Sequence, residues 1–214
     1  MSDPAAPPKR SHRHEIVATV LLALAAVATA WSSYQAARWT AEQTKAFSAA
    51  NASRANATQA SDRANAETQV DVAIFVQWVD AQATDATELA DFYRTRFRAE
   101  FIPAFDAWLA TDPFEDPDAP LTPFAMPEYR VAKAEEADRL NAIAEASAAD
   151  AREFIQRATN YVLGVVLFAV SLFFAAVSTK IDSGRLRTTV LVFGCIVFLG
   201  TLSWIATFPV SLSI

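Results

Sequence analysis

The side chains best suited to chemistry lie close together. Asp106, Asp112, Glu115, Asp116 and Asp118 put five carboxylates within 13 residues, a density of oxygen donors that suits a hard cation such as calcium. The stretch has no glycine and lacks the Asp-x-Asp-x-Asp-Gly order of a calcium loop. It therefore reads as a solvated acidic turn, and nothing in its spacing singles out a carboxylate pair for glycoside chemistry. Both histidines, His12 and His14, precede the first apolar run, and the one cysteine, Cys195, sits inside the last. The long polar segment between them has no imidazole and no thiol, which removes Ser-His and Cys-His nucleophiles and His-based zinc sites from it. No glycine-rich phosphate loop is present. The expectation is a protein with no catalytic residues, no cofactor and no metal.

Three arginines interrupt the acidic pattern. Arg94, Arg96 and Arg98 are placed either to neutralise the acidic stretch that follows or to meet an anionic partner, with Arg96 and Glu100 at the spacing of a helical ion pair. The His-Arg-His triplet at 12–14 reads as a juxtamembrane basic patch that touches anionic lipid.

The elements that carry these residues are set by three apolar runs. Ile16 to Tyr34, Tyr161 to Thr179 and Val190 to Phe208 are each 19 residues without a charge, close to the ~20 that a helix needs to cross ~30 Å of hydrocarbon. Lys9, Arg10 and Arg13 lead the first run, and Lys180, Arg185 and Arg187 lie between the second and third. Short cytoplasmic segments are enriched in such residues. The expected division is a cytoplasmic disordered tail 1–14, spans 15–34, 161–179 and 188–208, a cytoplasmic loop 180–187, an outer domain 35–160 and an outer tail 209–214. The outer domain carries 21 acidic and 12 basic side chains, a net charge of −9, which repels nucleic acid. Ala28 to Ala30 also resembles a signal-peptide cleavage site, but the apolar run continues past it into a helical pattern, so it reads as an uncleaved anchor. The spans hold no Asp, Glu, Lys, Arg or His, an argument against proton relays and ion-coupled carriers. Small residues suggest close helix packing at Thr19 with Ala23, Ala26 with Ala30, and Gly164, Gly194 and Gly200.

Residues 35–102 contain neither Gly nor Pro, which predicts a long helix or two in series. Within it Ala36, Trp39, Gln43, Ala46, Ala50, Ser53, Ala57, Ala60 and Ala64 recur at steps of three and four and form one seam. The return segment has a matching seam in Ala134, Ala137, Asn141, Ala144, Ala148, Ala151, Ile155 and Ala158. Two stripes of small residues let two backbones approach closely. The expectation is an antiparallel stalk, 35–67 against 128–160, with Ala36 near Ala158 and Ala60 near Ala134.

Between the stalk segments lies a head, 68–127. Val70 to Gln82 is apolar nearly all round, which predicts a helix buried on every side. Asp85 with Glu88 resembles a capping box that starts a new helix. Leu89, Phe92, Tyr93, Phe97, Phe101, Phe105 and Trp108 form an aromatic stripe read as core, followed by a loop, 111–127, with five prolines. This surplus either packs as a compact head beyond the stalk or doubles back along Leu140, Ile143 and Phe154. The loop residues Phe114, Leu121, Phe124 and Met126, with Arg94 and Arg98, are the candidate partner contacts.

On the stretches WSSYQAARW, FAMPEYR and TLSWIATFPVS, the chain resembles uncharacterised bacterial three-span membrane proteins of the domain-of-unknown-function kind. The resemblance implies an N-terminal span, an outer helical hairpin, a C-terminal pair of spans and a bacterial inner membrane; it carries no active-site residues. The fold expected is all-α: three transmembrane helices with an extracytoplasmic helical stalk and small helical head. The function expected is a membrane scaffold or accessory subunit that binds lipid and either a partner protein or a second copy, the alternative being an oligomeric pore or a sensor component with a separate output chain.

Overall fold

A computed structural model describes residues 12–211. Every regular element among them is helical: α1 (His12–Ala83), α2 (Thr87–Arg94), α3 (Ile102–Leu109), a single 3₁₀ turn (Pro123–Ala125), α4 (Ala132–Ser178) and α5 (Gly184–Ile205). The all-α class is as expected. Three helices, α1, α4 and α5, are long and apolar enough to cross a membrane. Helix α1 already begins at His12, inside the stretch expected to be a tail; residues 1–11 of that stretch, and 212–214 of the C-terminal tail, lie outside the described residues.

The chain divides into two compact units, one of residues up to 47 and from 148 onward, the other of residues 48–147. Helices α1 and α4 contribute residues to both.

In the first unit, α1, α4 and α5 bury Ala18, Leu21, Ala25, Tyr161, Phe168, Ala175, Leu191 and Phe198 in one cluster that also takes in Ala36, Trp39 and Ala158. Along α5 the buried residues Leu191, Gly194, Phe198, Thr201 and Ile205 follow steps of three and four, so one stripe faces its neighbours. Gly194 sits at a close approach: a Cβ there would lie 3.2 Å from Phe174 Cβ and 3.5 Å from the Ser171 carbonyl. At Gly164 a Cβ would lie 2.1 Å from Ile205 Cδ1. The other small residues do not pack this way. Gly200 faces open space, and Thr19, Ala23, Ala26 and Ala30 lie on the exposed side of α1, because the buried stripe falls on Ala18, Leu21, Ala25 and Ser32 instead. Outward from this core point Val20, Leu24, Val27, Val166, Phe173, Ile196 and Leu199.

Polar side chains tie the ends of the first unit. The buried Gln35 accepts from the Ser211 backbone N–H through Oε1 at 3.0 Å, while its Nε2 lies 3.5 Å from the Ser211 carbonyl. The Tyr161 hydroxyl donates to the Pro209 carbonyl at 3.2 Å. The Arg157 guanidinium lies over the Trp39 ring, 4.6 Å from its centre, and Trp39 packs on Phe154.

In the second unit the α1 seam is buried as expected at Ala50, Ala57, Ala60 and Ala64. The α4 seam is partly out of phase. Ala137 and Ala144 of this unit are buried, as are Ala148, Ala151 and Ala158 where α4 continues into the first unit, but Ala134, Asn141 and Ile155 are exposed, and Leu140, Ser147 and Phe154 are half-buried instead. Larger side chains gain more by burial than alanine does, so Leu140 and Phe154 set the phase.

No Gly or Pro ends α1. The chain turns at Asp85, whose φ of 56° is left-handed; Ala86 N–H donates to the Ala81 carbonyl at 2.9 Å and Asp85 N–H to that of Gln82 at 3.2 Å. That pair of bonds is a Schellman ending, with Ala86 and Ala81 both in the apolar cluster. The capping-box expectation is corrected here: a helix does start, at Thr87, but its N-cap is Ala86 and no side chain caps it. Asp85 closes α1 rather than opening α2.

Candidate functional site

The second unit is organised around a ring cluster and a charged centre. Phe75 and Trp78 on the last turns of α1 meet Phe101, Phe105 and Trp108 from α3 and its approach. The ring centres lie 4.8 Å apart for Trp78 and Phe105, 5.3 Å for Phe75 and Trp108, and 4.7 Å for Phe97 and Phe105, in edge-to-face pairs that add to simple burial. The 68–127 surplus thus packs on α1, and Leu140, Ile143 and Phe154 are not among its neighbours in the cluster. Prolines help by stopping helices where rings must turn inward: Pro103 starts α3, and Pro123 is buried beside Phe124. Trp108 Nε1 donates to the Pro120 carbonyl at 2.6 Å, fastening the Pro-rich loop.

Beside the rings lies Asp71, 1% exposed. Arg98 Nε and Nη2 donate to its Oδ1 and Oδ2 at 3.0 and 2.9 Å, a two-pronged pair. Arg98 Nη1 also donates to Glu67 and Glu100, each at 3.0 Å. The Tyr129 hydroxyl donates to Asp71 Oδ2 at 3.3 Å and lies 3.3 Å from the Thr68 hydroxyl. Hydrogen bonding to Asp71 raises the Arg98 pKa above its already high ordinary value, so the guanidinium is permanently charged. Burial, aided by the Asp71 charge, lifts the Tyr129 phenol above its ordinary 10.0. One side chain therefore joins α1 to the α2–α3 connection, and Tyr129 adds the segment before α4. The paired charges and the donated hydroxyl make this a structural centre, with its polar atoms already satisfied by one another.

The candidate contacts separate accordingly. Arg98 is the internal anchor just described. Arg94 pairs with Asp106 at 2.9 Å, the one case among the described residues in which an arginine meets the acidic series. Arg96 does not pair with Glu100: α2 has ended at Arg94, and the Arg96 guanidinium lies 3.4 Å from the centre of the Phe92 ring. Phe124 stacks on Phe101 at 5.2 Å and Met126 joins the same cluster. Phe114 lies against Trp78 and Trp108 yet stays 63% exposed, and Leu121 is 93% exposed. Val70, Val72 and Val76 also face outward, so the Val70–Gln82 helix is buried on one side and not on all. Among the described residues no three His, Cys, Asp or Glu side chains converge as metal ligands; Asp116 instead accepts from the Asp118 backbone at 2.9 Å.

Asp71 is the signal that the sequence reading passed over. It falls seven residues after Ala64 and seven before Trp78, on the buried stripe, and a carboxylate there requires a partner. Tyr129 and Thr68 carry no comparable sequence signal. No family model, no curated protein and no solved structure matches the chain.

Proposed function

We propose that the chain is a multi-pass protein of a bacterial inner membrane, with its N-terminus and the 180–187 connection in the cytoplasm and residues 35–160 outside. It acts there as a non-enzymatic scaffold or accessory subunit, its outer helices forming a stalk and head that bind a partner protein or a second copy of the chain. Three apolar helices support the membrane half of this reading, as do outward-pointing Val, Leu, Ile and Phe on the first unit, a surface that hydrocarbon solvates and water does not. The basic flanks and the acidic segment between them support the orientation.

The observation that carries the binding half is the exterior of the second unit. Its charged centre is paired internally, while Leu121, Phe114, Leu89 and Phe92 stay exposed. Each large apolar side chain covered by a partner contributes about 2 kcal/mol. Native mass spectrometry of the gently extracted protein tests this: the expected result is a fixed copy number above one or a stoichiometric companion, weakened at least tenfold by Leu121→Glu together with Phe114→Glu. A lone monomer without companions contradicts it.

A further inference from the structure

A groove in the first unit has a composition that fits one kind of occupant. Its walls are Ile16, Val20 and Leu24 of α1 and Cys195, Phe198 and Leu199 of α5, enclosing about 280 Å³. From residue 16 to residue 24 a helix advances about 12 Å, most of the ~15 Å hydrocarbon depth of one leaflet. One end of the groove is marked by His14 Nε2 and Thr188 Oγ1, 3.1 Å apart. Along α5, Arg185, Thr188, Val192, Cys195 and Leu199 follow steps of three, four, three and four, so they share one face. Arg185, Thr188 and Val192 line a second hollow, the continuation of that face beyond the apolar walls. The Arg185 side chain is exposed and makes no ion pair among the described residues. In sequence, Lys180 and Arg187 at this end are offset in number by Glu15 and Asp182, and Lys9, Arg10 and Arg13 precede it.

We propose that this face is a binding site for one anionic phospholipid, with an acyl chain in the α1–α5 groove and the phosphate held by the Arg185 guanidinium, the Thr188 hydroxyl being engaged with the Gly184 carbonyl at 2.9 Å. The apolar half excludes a polar ligand, and the guanidinium forms two parallel hydrogen bonds to a phosphate. Basic recesses between membrane helices select anionic headgroups in this way. The site rests on the membrane reading given above, and the test separates the two.

The full chain in mild detergent is titrated with phosphatidylglycerol or phosphatidylcholine of identical acyl chains and observed by native mass spectrometry. The expected result is retention of one phosphatidylglycerol at least fivefold more strongly than phosphatidylcholine. Arg185→Gln removes the preference, whereas Lys180→Gln, which deletes the same charge off this face, leaves it within twofold. Val20→Trp fills the groove and weakens both lipids. Equal retention of the two lipids overturns the site, as does an equal loss in Lys180→Gln, which would reduce the effect to general charge attraction. Fractionation of the same cells reports the membrane reading independently: a chain recovered without detergent sinks that reading, while a membrane-bound chain indifferent to headgroup sinks only the lipid site.

Discussion

Asp71 and Arg98 concentrate the energetics of the second unit in one contact. A carboxylate 1% exposed is tolerable only while the guanidinium faces it, because breaking a buried pair from one side strands the other charge. Arg98→Ala is expected to destabilise the folded chain by about 3 kcal/mol, at the lower end of the range for buried pairs since Arg98 itself reaches solvent. Arg98→Lys recovers little, for a lysine cannot make the two-pronged contact. Thermal unfolding followed by the fluorescence of Trp78 and Trp108 in detergent reads both. The Tyr129 phenol has its own signature. Its folded pKa lies above the unfolded value of 10.0, so its contribution is full below pH 10 and is lost as pH rises through the folded value. The expected outcome is a late-ionising component of an absorbance titration that Tyr129→Phe diminishes, and an alkaline loss of stability that the same change lessens.

At the scale of elements, the ends and phases of helices decide what is correct in the sequence pattern and what is not. The Asp85–Glu88 spacing locates the boundary between α1 and α2 but assigns Asp85 to the wrong side of it, since the bonds from Asp85 and Ala86 return to Gln82 and Ala81. Substitution distinguishes the two roles by sign. In a left-handed C-terminal position Asp85→Gly relieves strain and stabilises by up to about 1 kcal/mol, whereas at an N-cap the same change costs a few tenths of a kcal/mol; denaturant midpoints are expected to rise. The α1 seam was legible because Trp39 fixes its phase among the alanines. On α4, alanines occur at so many positions that two phases fit, and only Leu140 and Phe154, half-buried in the structure, separate them. Burial of the Val70–Gln82 helix on every side was overestimated for a related reason: an apolar side chain records where water can be excluded, not whether a neighbour is present to exclude it.

For the molecule as a whole, the sequence conveyed class and candidate spans because both depend on local composition, which a single chain displays directly. The aromatic core of the second unit was legible in Phe97, Phe101, Phe105 and Trp108, all buried, but Leu89 and Phe92 of the same stripe face outward. The charged centre was not, since it joins residues 27 and 58 positions apart and only the fold brings them together. The proposed arrangement of three spans puts the acidic 35–160 segment and the basic 180–187 connection on opposite sides of one membrane. Labelling with a membrane-impermeant maleimide measures this most directly, in a Cys195→Ser background carrying either Asp118→Cys or Ser183→Cys. The account predicts that intact cells label at 118 and that 183 labels only after the membrane is opened. Labelling at 183 in intact cells, or at both positions alike, contradicts it.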